Sequence, residues 1–432
     1  MSLDWQGRRS GGLTGQATVP GDKSISHRAI MLAALADGES VIEGFLEGED
    51  TRATARIFSQ LGVRIETPNP HTRVVHGVGL HGLQPSAEAL DCGNAGTGMR
   101  LLTGLLCAQA FDSVLVGDAS LSKRPMARVI RLLEKMGASV SARDGNFAPL
   151  HIHGGQVLHG VEIDTQVASA QVKSALIFAA LYAQGETVIT EPRPTRDYTE
   201  SMLKSLGWPI DYRPGEVLVH GGGSLKAGGM RIPGDISSAA FLIAAAMLVP
   251  CSDITLCNIG VNPRRTGILS AFALMGGRIE LFNERRESGE PVADIRVRSS
   301  SLKGIDLPEH LVPDMIDECP IFFVAAALAT GKTRATGLAE LRVKESDRIA
   351  SMVKGLRAMG AQAVDSPDSV EITGGTLHAA DIDSCEDHRI AMSFAVAAQC
   401  ADGVTAIHDC ANVATSFPGF VALAQSLGMN LE

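Results

Sequence analysis

The sequence predicts an α/β protein of two halves, each assembled from three similar units. Three observations carry this reading. Six amphipathic stretches close on Leu or Met followed by glycine, with a period of about 70 residues. One phrase, a Pro-Gly-Asp turn running into an apolar helix, stands at residues 19–35 and again at 232–248. A chain of 432 residues is also too long for one ordinary core, so two domains of roughly 200 residues are expected.

The closing stretches are IFSQLGV (57–63), LLEKMGA (132–138), MLKSLGW (202–208), AFALMGG (271–277), GLRAMGA (355–361) and ALAQSLGM (422–429). In each, an apolar helical face ends at a glycine, the residue suited to the left-handed position just past a helix. Short β-rich runs follow, as in VRIET, GRIELF and AVDSPDSVEIT. A strand-and-helix unit used six times is the simplest account.

The repeated phrase reads VPGDKSISHRAIMLAAL in its first copy and IPGDISSAAFLIAAAML in its second. Each copy follows a short β-like run, GQATV or GGMRI, and proline with glycine punctuates a strand-to-helix turn. Lys23, His27 and Arg28 of the first copy become Ile236, Ala240 and Phe241 in the second. The halves therefore match in fold, while one copy alone keeps the cations.

Composition narrows the class. Apolar residues make up 45% and charged residues 20%, the balance of an ordinary globular protein. A net charge of −10 argues against nucleic acid as the main partner, since a phosphate backbone needs a basic face. An anionic small molecule remains compatible, because local Arg and Lys focus positive potential inside an acidic protein. The eight cysteines show no CxxC and no paired spacing, which points to reduced thiols and away from zinc. No signal-like segment opens the sequence, and the longest apolar run, FLIAAAMLV (241–249), is about half a membrane span. A cytoplasmic protein without a membrane partner is expected.

Cations gather where apolar helices begin. Lys23, Ser24 and Arg28 lie at the start of one, where free N–H groups and the dipole favour an anion. GNAGTGMR (93–100) adds a glycine-rich turn whose backbone allows close approach. GDASLSKRPM (117–126) carries Lys123 and Arg124, ASAQVKSA (168–175) carries Ser169, Gln171 and Lys173, and TRDYTE (195–200) carries Arg196. MIDECP (315–320) sets Asp317 and Glu318 before another apolar helix, where helix capping alone would account for Asp317. LRVKESDR (341–348) is denser, with Arg342, Lys344, Glu345, Asp347 and Arg348, and a solvated helix face is the plain alternative there. DHRIAMSF (387–394) supplies His388 and Arg389. Six helix starts bearing Arg, Lys, Ser or Gln suit a substrate pair rich in phosphate and carboxylate.

Other motifs carry less. GVGLHG (77–82) fits GxGxxG, but no apolar helix with a later ribose-binding acid follows it. SLSK (120–123) lacks the companion motifs of the lactamases. HIH (151–153) puts two imidazoles on one strand face without an evident third ligand, so no metal site is expected.

Taken together, PGDKSISHR, GNAGTGMR, the KRPM turn, SAQVK, MIDE, RVKESDR, DHRIAMSF and ATSFP resemble the 5-enolpyruvylshikimate-3-phosphate synthases, from about residue 12 onward and in that family's order. The resemblance implies a two-domain inside-out α/β barrel, the enolpyruvyl transferase fold, with three βαβαββ units per domain. It implies one domain formed by residues 1–20 and 235–432, an inserted domain of 21–234, and hinges near 20–21 and 233–235. The implied reaction moves the enolpyruvyl group of phosphoenolpyruvate to the 5-hydroxyl of shikimate 3-phosphate, by addition and elimination and with no cofactor. Because the anion-binding groups come from both halves, the ligands are expected to draw those halves together.

Carried over residue by residue, Lys23, Ser24 and Arg28 match positions that hold shikimate 3-phosphate, as do Ser169, Gln171 and Arg196, with Ala170 offering only backbone. Lys23, implied to be catalytic together with Asp317, Lys344 and Glu345, also faces phosphoenolpyruvate, whose other partners are implied to be Gly96, Arg124, Gln171, Arg348, His388 and Arg389. Asp317 is the implied base on the hydroxyl, near the shikimate ring with Lys344. Lys344 and Glu345 handle protons at the bridging oxygen and the methylene carbon. Glyphosate is the expected competitor beside Gly96, and a monomer is the expected state.

GDKS and SAQVK lean toward the family's second class, but its RxHxE and NxTR patterns become Arg196-Asp-Tyr198-Thr-Glu200 and Asn262-Pro-Arg264-Arg265 here. Thr415 stands where many members carry a lysine. Two rival readings remain: UDP-N-acetylglucosamine enolpyruvyl transferase, which shares the fold, and a binder of phosphorylated metabolites without catalysis. The first normally has a reactive cysteine in the loop that here reads GDASLSKRP; the second has no use for Asp317, Lys344 and Glu345 together.

Overall fold

The computed structural model describes residues 3–432. They fall into two compact units. The inserted unit is Gly21–Ile232 with Glu287–Glu290; the discontinuous unit is the chain up to Pro20, Pro233–Arg286 and Pro291–Glu432. The expected boundary at 234–235 thus lies two residues earlier, and a four-residue hairpin tip leaves the stretch 235–432. Local hydrogen bonds explain both shifts. Ile232 N–H bonds Glu43 O within the inserted unit, and Arg231 N–H bonds Ser288 Oγ there, whereas Asp235 N–H bonds Pro20 O within the other.

The inserted unit carries helices α1 (Lys23–Leu35), α2 (Glu49–Gln60), α3 (Gly96–Leu106), α4 (Ala127–Lys135), α5 (Ala170–Ala180) and α6 (Tyr198–Ser205). Three sheets accompany them, and each has the same plan: a parallel strand pair extended by an antiparallel hairpin. In one sheet Glu162–Asp164 runs parallel to Glu186–Thr190, which pairs antiparallel with Glu216–His220 and then Ile210–Arg213. Helices α1, α3 and α5 are apolar around most of their circumference and almost wholly buried, as a helix with no polar face must be. Close packing of α3 on α5 depends on Gly104, where a Cβ would stand 2.0 Å from the Ala175 carbonyl oxygen.

The discontinuous unit carries α7 (Ile236–Leu248), α8 (Gly267–Leu274), α9 (Cys319–Leu328), α10 (Arg348–Ala358), α11 (His388–Ala398) and α12 (Phe420–Ser426), with two four-stranded sheets that each contain a parallel pair and one three-stranded antiparallel sheet, Lys332–Ala335, Val370–Thr373 and Gln362–Asp365. Its core is built on α7, α9 and α11, which are buried along nearly their whole length. Two early strands complete its sheets. Trp5–Arg8 lies antiparallel between Val404–His408 and Asn430–Leu431, and Thr14–Ala17 lies parallel to Asp253–Gly260.

The six closing glycines, Gly62, Gly137, Gly207, Gly276, Gly360 and Gly428, all take positive φ, between 84° and 102°. Each frees its turn from the steric penalty that any other side chain would meet there. The chain is therefore the six-unit α/β protein that its glycine spacing predicts. Its eight cysteines are all free thiols, and among the described residues no helix is long and apolar enough to cross a membrane.

Candidate active site

In the inserted unit the site grows from the start of α1. Asp22, buried at the N-cap, accepts the Ile25 N–H at 2.9 Å through Oδ1 and the Tyr198 hydroxyl at 3.1 Å through Oδ2. Tyr198, one departure from the family pattern, thereby ties the Arg196 loop to the first Pro-Gly-Asp turn. Lys23 follows with its Nζ 3.1 Å from Asp50 Oδ2, and Ser24 stands beside it, half-buried.

Arg28 is one helical turn further on and buried. Its Nε donates to Thr199 Oγ1 at 2.7 Å, Nη2 to Ser174 Oγ at 2.7 Å and Nη1 to Ser24 O at 2.9 Å. Burial, and next the Arg196 charge, pull its pKa down to about 10. A guanidinium whose charge is disfavoured by burial and by a neighbouring cation makes a receptor that an anion relieves. His27 is held neutral by burial and then by Lys23 and Arg28, with its pKa down to about 3, and its Nδ1 shares a proton with Thr54 Oγ1 at 2.8 Å.

The starts of α3 and α5 add to this surface. Ser169 caps α5, its Oγ accepting from Val172 N at 3.5 Å, and Ala170 is buried at the first helical position. Gln171 links the two helices: Nε2 donates to Thr97 Oγ1 at 2.8 Å, and Oε1 accepts from Arg100 Nη1 at 2.7 Å. At Gly96 a Cβ would meet Arg124 Nη1 at 3.0 Å and Arg100 Nη1 at 3.2 Å, so the missing side chain leaves both guanidiniums room. Arg124 is held by Asn94, through Oδ1 at 2.5 Å, and by Ser120 Oγ at 3.2 Å.

Arg100 and Asn94 belong to the site although the sequence motifs do not mark them as such. Both lie inside GNAGTGMR, and Arg100 falls four positions after Gly96, one helical turn on. That spacing is the signal the sequence offers.

In the discontinuous unit Asp317 sits in the turn Ile316–Glu318 ahead of α9. It does not cap that helix; Glu318 holds the N-cap position, and no side chain makes the capping bond. Asp317 Oδ1 lies 3.4 Å from both Lys344 Nζ and Arg348 Nη1, and its backbone carbonyl accepts from Arg389 Nη1 at 2.9 Å. Glu345 Oε2 accepts from Arg348 Nη2 at 2.5 Å.

Burial disfavours the Arg348 charge, but Asp387, Glu345 and Asp317 outweigh that and hold its pKa above the ordinary arginine value. Asp387 is buried and caps α11 through the Arg389 N–H at 2.9 Å, which fixes His388 and Arg389 at the helix start. The dense segment 341–348 is thus split. Arg342 pairs outward with Asp347 at 2.8 Å and Asp365 at 3.0 Å, whereas Lys344, Glu345 and Arg348 join Asp317. Thr415 turns its hydroxyl to Asn412 O at 2.7 Å and adds no charge.

The sequence-predicted residues therefore form two clusters. Lys23, Ser24, Arg28, Gly96, Arg124, Ser169, Ala170, Gln171 and Arg196 belong to the inserted unit; Asp317, Lys344, Glu345, Arg348, His388 and Arg389 belong to the other. The first is a set of cations and hydroxyls on helix starts, suited to phosphate. The second mixes carboxylates with cations, so it has both proton acceptors and anion partners. His151 and His153 share an exposed strand face, and no group of three or more His, Cys, Asp or Glu poised for a metal occurs among the described residues.

Known proteins match along the same span. A profile of the family described as EPSP synthase (3-phosphoshikimate 1-carboxyvinyltransferase) matches residues 8–423. The chain is 60% identical over 428 residues to a 3-phosphoshikimate 1-carboxyvinyltransferase of Xanthomonas euvesicatoria pv. vesicatoria, covering 99% of this chain and 97% of that one. The corresponding protein of Xanthomonas axonopodis pv. citri is 59% identical over the same length and coverage. A solved EPSP synthase from Acinetobacter baumannii superposes with a TM-score of 0.90 at 46% identity, covering 100% of this chain and 99% of that one. With the family profile matched over residues 8–423 and relatives about 60% identical along nearly the whole chain, the chain belongs to the EPSP synthase family.

Proposed function

We propose that the protein is a 3-phosphoshikimate 1-carboxyvinyltransferase acting in the shikimate pathway. It transfers the enolpyruvyl group of phosphoenolpyruvate to the 5-hydroxyl of shikimate 3-phosphate and releases phosphate. The observation that carries this reading is the Asp317–Lys344–Arg348–Glu345 group, in which two carboxylates of different surroundings share one buried arginine. Simple anion binding has no need of either carboxylate.

Arg28 and Arg196 take the phosphate of shikimate 3-phosphate, with Lys23, Ser24, Ser169 and Gln171 as further donors and Ala170 contributing backbone. The mutual repulsion of the two arginines, which helps lower the Arg28 pKa, favours a dianion there. Phosphoenolpyruvate is held by Lys23, Gln171, Arg124, Arg348, His388 and Arg389, close to the side-chain-free Gly96.

In the addition step the substrate hydroxyl oxygen bonds C2 of phosphoenolpyruvate. Asp317 takes the hydroxyl proton, and Glu345, as the acid, delivers a proton to the methylene carbon. In the elimination step the C2–O bond to phosphate breaks, Lys344 supports charge on the bridging oxygen, and Glu345 removes the methyl proton to restore the double bond. The fixed arginines stabilise the tetrahedral intermediate because they are held before charge develops. The enzyme works as a cytoplasmic monomer, and glyphosate competes with phosphoenolpyruvate.

The test is phosphate release from phosphoenolpyruvate in EDTA with either shikimate 3-phosphate or UDP-N-acetylglucosamine. Release with shikimate 3-phosphate alone is expected. Release with the nucleotide sugar alone would reassign the acceptor, and silence with both would leave only a binding role.

A further inference from the structure

Arg265 closes the NPRR segment that departs from the family's second-class pattern, and no contact with either substrate is assigned to it. It is 3% exposed. Its guanidinium nevertheless meets four groups. Nη2 donates to Ser237 Oγ and lies 3.4 Å from Asp235 Oδ1; Nη1 lies 3.6 Å from Glu318 Oε1 and 3.9 Å from Asp317 Oδ2. Ser237 in turn donates to Glu318 Oε1. Asp235 and Ser237 are the cap and the second helical position of α7, so the second Pro-Gly-Asp turn holds Arg265 from one side and Arg265 faces Asp317 on the other.

The groups facing Asp317 come from every neighbouring segment. Lys344 and Arg348 stand on Oδ1 and Arg265 on Oδ2, Arg389 binds the Asp317 carbonyl, and Glu318 is adjacent in sequence. Lys344 and Arg348 are partly open or assigned to ligand. Arg265 is the buried cation of this set to which no ligand is assigned.

We infer that Arg265 is a positioning residue for Asp317: held by Asp235 and Ser237, it fixes the carboxylate and keeps it ionised while Lys344 and Arg348 engage substrate. The second Pro-Gly-Asp turn, stripped of its own cations, thereby serves the reaction through a cation from another loop. This inference rests on the reading of Asp317 as the base. A nearby cation favours the charged form of a carboxylate, so its removal shifts the carboxylate's titration upward.

The experiment compares Arg265→Met and Arg265→Lys, each with Asp317 intact and with Asp317→Asn, by steady-state phosphate release across pH. With Asp317 intact, Arg265→Met is expected to lower kcat by at least about tenfold and to move the acidic limb of the kcat profile to higher pH. KM for either substrate should stay within about threefold, since Arg265 touches no ligand. Arg265→Lys should restore the limb and part of kcat. In the Asp317→Asn background either substitution should cost less than about threefold, because a residue acting through Asp317 has nothing left to position.

Equal losses in both backgrounds, or an unmoved acidic limb in Arg265→Met, would overturn the inference. If Asp317→Asn alone kept full kcat, the base assignment itself would fall, an outcome distinct from the first two. Should Arg265→Met not fold, Arg265→Lys carries the same two-background comparison, and an equal loss in both would overturn the inference there as well.

Discussion

Asp22 and Asp235 cap α1 and α7 at the same point of one repeated phrase, each buried and each accepting a backbone N–H through Oδ1. Around the first, the helix start carries Lys23 and Arg28, and Asp22 spends its second oxygen on Tyr198. Around the second, Ile236 and Phe241 fill the matching places, and Asp235 faces a cation brought in by Arg265. In this duplicated fold the chemistry lies where the two copies differ. Proline, glycine and aspartate, common to both copies, build the turn. What the copies do not share decides whether the turn faces an anion or anchors an arginine.

The largest effect is expected at the carboxylates assigned to proton transfer, Asp317 and Glu345, both in the discontinuous unit. Glu345→Gln is expected to lower kcat by about 10²–10⁴-fold, the range of a lost general acid, with the melting temperature little changed. Wild-type turnover would overturn the assignment of Glu345 as the acid.

A paired substitution at the repeated helices comes next. Arg28→Met is expected to raise KM for shikimate 3-phosphate by roughly 10–100-fold, as the loss of a charge-assisted contact. At the matching place, Phe241→Leu is expected to cost about 1 kcal/mol of stability, read by denaturant melts, and to leave KM alone. If both variants moved KM alike, the division between a ligand-facing and a scaffold-facing copy would fail.

Within the inserted unit, Gly96→Ala fills the space beside two arginines. A methyl 3.0 Å from Arg124 Nη1 and 3.2 Å from Arg100 Nη1 crowds both guanidiniums, and glyphosate inhibition is expected to weaken about tenfold in competition assays. The smallest effect is in pH dependence. The His27 pKa falls to about 3 in the fold from an ordinary 6.5, so between those values the unfolded chain binds the additional proton. Its contribution to stability is present above about pH 6.5 and is lost as pH falls toward 3. Replacing His27 with Gln should flatten part of the decline in melting temperature over that window; Ala240, its counterpart, has nothing to titrate.

Features set by near neighbours in the chain can be read from the residues themselves. The six closing glycines stand at positive φ, and Asp22, Ser169 and Asp387 stand at helix starts, as short polar residues ahead of apolar runs predict. Contacts between distant segments cannot be read that way. Nothing local says that Arg100 reaches Gln171, 71 positions away, or that Arg348 reaches Asp387, 39 away. The capping alternative for Asp317 is equally open in the sequence, and only the register of α9, which begins one residue after Glu318, removes it. Arg265 shows the limit most clearly. Its segment stands out in sequence only as a departure, while its partners Asp235, Ser237, Asp317 and Glu318 come from separate turns.

The strand Trp5–Arg8 has a consequence for the order of events during synthesis. Its partners are Val404–His408 and Asn430–Leu431, so Trp5 emerges from the ribosome long before Ile407 exists to pair with it. Residues 21–232, which hold nearly all of the inserted unit, are available for collapse meanwhile. The growing chain thus carries a waiting β-edge ahead of a domain that can already close. Its sequence there, WQGR, is short, polar at alternate places and flanked by Asp4 and Arg9, the features that keep an unpaired strand from recruiting the wrong neighbour.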